Sequence, residues 1–377
     1  IANFVNIFNP EAVILGGGMS RAHTLLLPVV KNVVAQRSLK GLYENVRYFM
    51  VEDQRTMPAL GAAKIAIDAL YNNEVVRMEL FFANQLLFGE EILNRLHIFA
   101  GPWLDTVMAT ITATGNEIFY LLVIPVLYWC YDKKFASRIG GAFLTCVLVN
   151  ESVKEYFNNP RPDPSRLSDG ISQLNIRYKP KHSPGFPSGH AQNAVAFWGS
   201  LAYFAGKRNI TLFSLICILL VSYSRLYLAV HFLGDVLGGL VIGCVFLLLY
   251  IVSVAWIKKK YAFINQTAIV IAAFVAPFVL SKIMPGNEVV KTLGALSGFI
   301  IGIIYENDRI GFSPKNRPIP NIIKAFAGIV GVIAIKAGVK AILPSVASAD
   351  FFRYWLIGIW ITLIAPLLFT KISSLNG

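Results

Sequence analysis

From Ile118 onward the chain alternates long apolar runs with short polar loops. The runs cover about 118–131, 137–157, 187–205, 209–226, 232–256, 267–283, 292–305, 321–343 and 352–371. A helix needs about 20 mostly apolar residues to cross a bilayer, so the pattern predicts about nine spans, with the first and seventh runs the shortest. The expected fold is an all-α polytopic membrane protein, a helical bundle. Ahead of it, Met78–Trp103 mixes aromatics and leucines with Glu90, Glu91, Asn94 and Arg95, which predicts an amphipathic helix lying in the interface. Residues 1–77 read differently, as a short α/β piece. Ala12–Leu15 is a strand candidate, Gly16–Gly18 a tight turn, and a helical pattern starts near Ser20. The expected divisions are therefore 1–77, 78–117, 118–256 and 257–377.

Composition agrees with a membrane chain. Of 377 residues 55% are hydrophobic and only 15% charged, where a soluble domain carries about a quarter. The net charge of +13 raises nucleic acid as a partner. Most of the lysines and arginines, however, sit in short loops between apolar runs, where topology and anionic headgroups account for them, so nucleic-acid binding is set aside. Lys133, Lys134 and Arg138, then Lys207 and Arg208, then Lys258–Lys260, then Arg309, Lys315 and Arg317 fall on one side if the spans alternate. That side is expected to be cytoplasmic, and the opposite helix ends extracytoplasmic. Lys336 and Lys340 are expected to snorkel at the outer end of their span. Cys130, Cys146, Cys217 and Cys244 have no paired spacing and read as small core residues.

The chemistry gathers at the outer ends. Lys154 closes the second run, and KEYFNNPRP carries the chain to Arg161 between Pro160 and Pro162. If the helix persists to Asn159, both cations point the same way. PGFPSGHAQNA then puts Ser188, Gly189 and His190 at the entry of the third run, with Ser188 placed to cap it and free helix amides to bind an anion. SRLYLAVHFLGD closes the fourth run with Ser224 and Arg225 and opens the fifth with His231 and Asp235. Ionisable groups at such depth are costly unless they pair or line a wet cavity. Three cations, a helix N-terminus, two histidines and one aspartate suit a phosphoryl group, with one histidine to attack and one to protonate the leaving alkoxide. His231 has the nearby carboxylate, so it is the nucleophile candidate and His190 the acid. No cluster of carboxylates or cysteines is set to hold a metal, and no cofactor is implied.

KEYFNNPRP, PSGH and SRLYLAVHFLGD resemble, in order and spacing, the three signature motifs of the type 2 phosphatidic acid phosphatase superfamily, over roughly residues 100–256. The resemblance implies a six-helix phosphatase core and a metal-independent phosphatase acting on a phosphorylated lipid. His231 would form a phosphohistidine, Asp235 would support it, and His190 would protonate the leaving group and later activate water. Lys154, Arg161, Ser188, Gly189 and Arg225 would hold the phosphate. The expected location is the plasma (inner) membrane with the active site facing outward. The four runs after residue 260 go beyond the six-helix core. A lipid-phosphate transporter or flippase would place polar residues at mid-membrane and show inverted repeats, and a vanadate-dependent haloperoxidase use of the pocket fits a membrane chain poorly. Phosphatidate, phosphatidylglycerophosphate, polyprenyl pyrophosphate, sphingoid phosphates and sugar phosphates all remain open as substrates.

The first segment resembles the C-terminal end of ROK-type sugar kinases: NIFNPEAVILGGGMS their late strand and glycine turn, PALGAAKIAIDAL (Pro58–Leu70) their closing helix. That family's ATP loop, catalytic aspartate and zinc cluster lie upstream of this piece, so kinase activity is not implied. A remnant, a fusion or a misplaced start is expected, with Met78 the plausible start of the membrane protein.

Overall fold

The computed structural model describes residues 12–15, 23–37, 46–50, 81–97, 100–180, 183–260, 265–284, 286–314, 318–342 and 346–375. The chain divides into two compact units, Ile1–Phe81 and Phe82–Gly377.

In the first unit, β1 (Ala12–Leu15) leads through α1 (His23–Arg37) to β2 (Arg47–Met50), which pairs with it in parallel, Ala12 opposite Arg47. A parallel pair needs such a crossover, so this is one βαβ unit. Val34 and Val46 are buried in it with Val13, Val30 and Tyr48 around them. The expected strand and helix are present. The glycine turn and the closing helix over Pro58–Leu70 lie outside the described residues.

The second unit is helical. Over the segment expected to be one interfacial helix, the described residues form α2 (Gln85–Phe88) and α3 (Glu91–Leu96), separated at Gly89. Phe88 and Leu93 are buried, so the segment packs as well as lies alongside. α4 (Pro102–Ala113) and α5 (Glu117–Cys130) meet at a 53° bend. α6 (Lys133–Phe157) follows, then α7 (Asp169–Tyr178). The α8 helix starts as Gly189–Ala194 and runs through a π turn at Val195–Gly199 into Ser200–Ala205. α9 (Arg208–Tyr227) and α10 (Leu233–Lys260) complete the core. After it come α11 (Gln266–Ile283), α12 (Asn287–Tyr305, with a π turn at Glu306–Ile310), α13 (Pro318–Ile342) and α14, which starts as Ala347–Ile359.

Six of these helices are long and apolar enough to cross a membrane, or seven if the bent α4–α5 pair is one span. The expected count of nine is therefore not reached among the described residues. α6 carries Lys133, Lys134, Arg138, Glu151, Lys154 and Glu155, and α8 is short, so neither reads as a plain apolar span. The most apolar helix, α10, leaves Leu237, Val241, Val245, Leu248 and Val252 exposed along one face, as a helix solvated by lipid does. The cysteines are not uniformly core: Cys146 is buried, whereas Cys244 is exposed on that same helix.

The C-terminal helices are packed into the core rather than appended to it. α12 lies against α14 so closely that a Cβ at Gly294 or Gly298 would fall about 2 Å from the carbonyl oxygens of Phe351 and Trp355, the small-residue packing of membrane helices. At the end of α6 remote from Lys154, the fully buried Glu306 pairs with Lys133 at 2.8 Å and accepts the Phe312 amide at 2.6 Å. Nearby, Trp129 Nε1 donates to the Ile361 carbonyl at 2.7 Å and Lys324 to the Trp129 carbonyl at 3.0 Å. The Arg138 guanidinium of α6 lies over the Phe204 ring near the end of α8.

Candidate active site

The α6 helix ends at Phe157, two residues earlier than the spacing predicted, because Asn158 turns left-handed at φ 43° as its cap. Lys154 therefore reaches the site from the last turn of a helix, whereas Arg161 reaches it from an extended loop. What orients Arg161 is hydrogen bonding: Nε donates to the Ser183 carbonyl at 2.7 Å and NH1 to the Val230 carbonyl at 2.8 Å. NH1 also lies 3.0 Å from His231 Nε2. Lys154 pairs with Glu151 at 2.9 Å and donates to Ser183 Oγ at 3.4 Å, the same hydroxyl that Arg161 NH2 approaches at 3.5 Å.

α10 begins at Leu233, so His231 sits in the turn before it rather than on its first turn. Asp235 Oδ2 accepts both the Phe232 amide at 3.0 Å and His231 Nδ1 at 3.1 Å. One carboxylate oxygen thus closes the turn and orients the ring. An arginine can only donate, so Nε2 is the acceptor of the Arg161 contact and the ring proton sits on Nδ1, facing Asp235. Both His231 and Asp235 are buried. Burial first, then the charges of Arg161, Arg225 and Lys154, hold the His231 imidazole well below its ordinary pKa. Burial also draws the Arg161 guanidinium down to about 10, despite the opposing pull of Asp235.

Ser188 occupies the N-cap position of α8 but makes no capping bond. Its hydroxyl is buried without a hydrogen-bond partner, while its amide donates to the Asp235 carbonyl at 2.9 Å. The expected cap is thus absent, and the first-turn amides are not satisfied by it, which suits an anion. Gly189 is required by close approach: a Cβ there would stand 3.2 Å from Lys154 Nζ and 2.9 Å from Asn150 Oδ1. His190 Nε2 meets Asn116 Oδ1 at 2.8 Å, in the bend between α4 and α5. Arg225 NH1 donates to Thr112 Oγ1 at 2.6 Å, and its Nε is buried with no partner.

All eight residues singled out in the sequence therefore meet in one cluster. Ser183, Asn116, Thr112 and the Val230 carbonyl join them, and none of these four carries a sequence signal of its own. The Asn150 amide, which donates to Gln192 Oε1 at 2.7 Å, braces α6 against α8 behind the cluster. Behind His231, Phe88, Phe157 and Phe186 pack edge to face around Phe82, and Phe232 packs edge to face on Phe88, an apolar wall against water. Among the described residues, no three His, Cys, Asp or Glu side chains are grouped to share a metal ion. Lys336, expected to snorkel, stands 3.7 Å from Glu117 and over the Tyr354 ring, while Lys340 is exposed.

The chain is similar to several known proteins. The family model described as the PAP2 superfamily matches residues 135–259, that of the PAP2 superfamily phosphatase transmembrane extension matches 290–376, and that of the ROK family matches 1–69. Phosphatidylglycerophosphatase B of Bacillus subtilis is 32% identical over 167 residues, 41% of this chain and 77% of that protein. A dihydrosphingosine 1-phosphate phosphatase of Schizosaccharomyces pombe is 27% identical, over 44% of this chain and 39% of its own length. Lipid A 4'-phosphatase of Porphyromonas gingivalis is 31% identical, over 38% and 63%. The crystal structure of a transmembrane PAP2-type phosphatidylglycerolphosphate phosphatase from Bacillus subtilis aligns with a TM-score of 0.38 at 25% identity, covering 51% of this chain and 95% of that one.

Proposed function

The chain belongs to the PAP2 superfamily, and we propose that it is a membrane phosphatase that hydrolyses the phosphate ester of a lipid through a phosphohistidine at His231. One observation carries the reading. His231 is fixed as the Nδ1–H tautomer by Asp235, with its Nε2 lone pair directed at a cluster of cations.

In the first half-reaction the phosphoryl group enters among Lys154, Arg161, Arg225, the buried Ser188 hydroxyl and the first-turn amides of α8 from Gly189. Its oxygens take over the Arg161 NH1 donor, which frees Nε2 to attack phosphorus. The bond from phosphorus to the lipid oxygen breaks as the bond from Nε2 forms. The leaving alkoxide takes a proton from His190, and Asp235 supports the positive charge that develops on His231. In the second half-reaction His190 removes a proton from water, the hydroxide attacks phosphorus, and the bond to Nε2 breaks to release phosphate. His190 Nε2 is engaged by Asn116, so Nδ1 is the nitrogen that trades the proton. The charge stabilisation comes from side chains and helix amides, so the chemistry requires no divalent metal.

Basic residues gather at the end opposite this cluster, which supports an extracytoplasmic site in the plasma (inner) membrane. The test is phosphate release by the purified protein from a panel of lipid phosphates in excess EDTA. Turnover that appears only on adding a divalent metal contradicts the metal-free route.

A further inference from the structure

A cavity of ≈ 650 Å³ opens from the cluster and runs between the core and the C-terminal helices. At its mouth stand Lys154, Ser183, Gly189 and His190, all from the phosphate site. Its depth is apolar, with Ile124, Phe143 and Leu144 on the core side and Ala295, Phe299 and Ile361 on the α12 and α14 side. The mouth also carries two lysine–glutamate pairs, Lys154 with Glu151 and Lys291 with Glu288. A polar mouth leading to an apolar slot is the chemistry of a phosphorylated lipid, not of a sugar phosphate.

Length decides how much of the lipid fits. Along α6 the lining extends from Lys154 to Gly140, which at ~1.5 Å per residue is roughly 21 Å. Half of a bilayer's hydrocarbon core is about 15 Å, so the slot is deeper than one leaflet. Resting on the phosphatase reading above, we propose that this slot takes the hydrocarbon chain of the substrate and that α12 and α14 select a long one. The transmembrane extension is then half of the lipid-binding site, and the headgroup motifs alone are not sufficient for recognition. Phe299 and Ile361 are both less than a tenth exposed, so a chain in contact with them lies inside the bundle and not on its lipid-facing surface.

The test compares dihexanoyl with dipalmitoyl phosphatidic acid, and both with p-nitrophenyl phosphate, on the wild type and on Ala295→Phe and Leu144→Phe, which fill the slot from opposite walls. Displacing about two buried methylenes should raise KM for the dipalmitoyl substrate about tenfold, with kcat on p-nitrophenyl phosphate unchanged. Equal effects on long and short substrates in both folded variants overturn the proposal. A second readout is independent of turnover: a lipid phosphate bearing a photoreactive group at the chain end should label Phe299 or Ile361. Labelling confined to exposed residues such as Ile271 or Val330 overturns the slot. Labelling of Phe299 or Ile361 without phosphate release from any substrate would keep the slot and contradict the phosphatase reading instead.

Discussion

Arg161 NH1 lies 3.0 Å from His231 Nε2, the nitrogen that the tautomer leaves with a lone pair. The contact keeps the nucleophile unprotonated and aimed, and it is also the donor that the incoming phosphate must claim. Because Nε is tied to Ser183 and NH1 to Val230, the planar fork places the charge. A lysine supplies the charge without the fork. Arg161→Lys is therefore expected to lower kcat/KM by about 10²–10³, the scale of losing one preorganised donor, with an unchanged melting temperature. A loss below about threefold would show that charge alone suffices.

The pH profile follows from the same contact. His231 acts as a neutral imidazole, active above its pKa, and its pKa is depressed. The acid limb of kcat/KM should thus fall below the ordinary histidine value of about 6.5. On p-nitrophenyl phosphate the substrate's own second ionisation near ~6 must be divided out. Removing a positive neighbour raises the pKa, so residual activity in Arg161→Gln should show its limb at higher pH than the wild type. A limb that stays put contradicts the electrostatic account.

His190 is held by Asn116, a residue from another helix junction. Asn116→Ala should lower kcat/KM, which reports the first half-reaction, for lipid phosphates, whose alkoxide must be protonated, more than for p-nitrophenyl phosphate, whose leaving group departs unaided. His190→Ala should show the same contrast at full scale, about 10²–10⁴ on the lipid substrate. Equal losses on both substrates would remove His190 from the acid role.

The buried Glu306–Lys133 pair ties the extension to the core far from the chemistry. Glu306→Ala leaves a largely buried lysine unpaired, which should cost about 3 kcal/mol of stability. The melting temperature in detergent should drop, while kcat on p-nitrophenyl phosphate at low temperature stays within about twofold, since the site is untouched. An unchanged melting temperature would show that Lys133 finds water or another partner.

Much of the site is legible in the sequence because its eight residues come as three local patterns at fixed spacing. Ser183 is not, because its role arises only where the fold brings it against both Lys154 and Arg161. Asn116 and Thr112 are likewise invisible, since their partners are 74 and 113 residues away. Spacing also misled in places. Lys154 and Arg161 sit at a helical interval yet do not share a helix, and Ser188 has the identity of a cap while its hydroxyl caps nothing. Hydropathy located each apolar run, but α6 is too charged to count as a plain span, because its polar groups face the site and the buried pair with Glu306. The slot between α6 and α12 is a property of packing, and no run of residues encodes it.

The central claim is that His231 Nε2 becomes bonded to phosphorus. Purified protein mixed with a ³²P-labelled lipid phosphate and quenched in alkali should retain label on His231, located by peptide mass spectrometry. Because hydrolysis of the intermediate needs His190 as base, His190→Ala should retain more of it when a p-nitrophenyl phosphate substrate is used. His231→Ala should carry none. Label on another residue, or His231→Ala turning over at near the wild-type rate, would contradict the account.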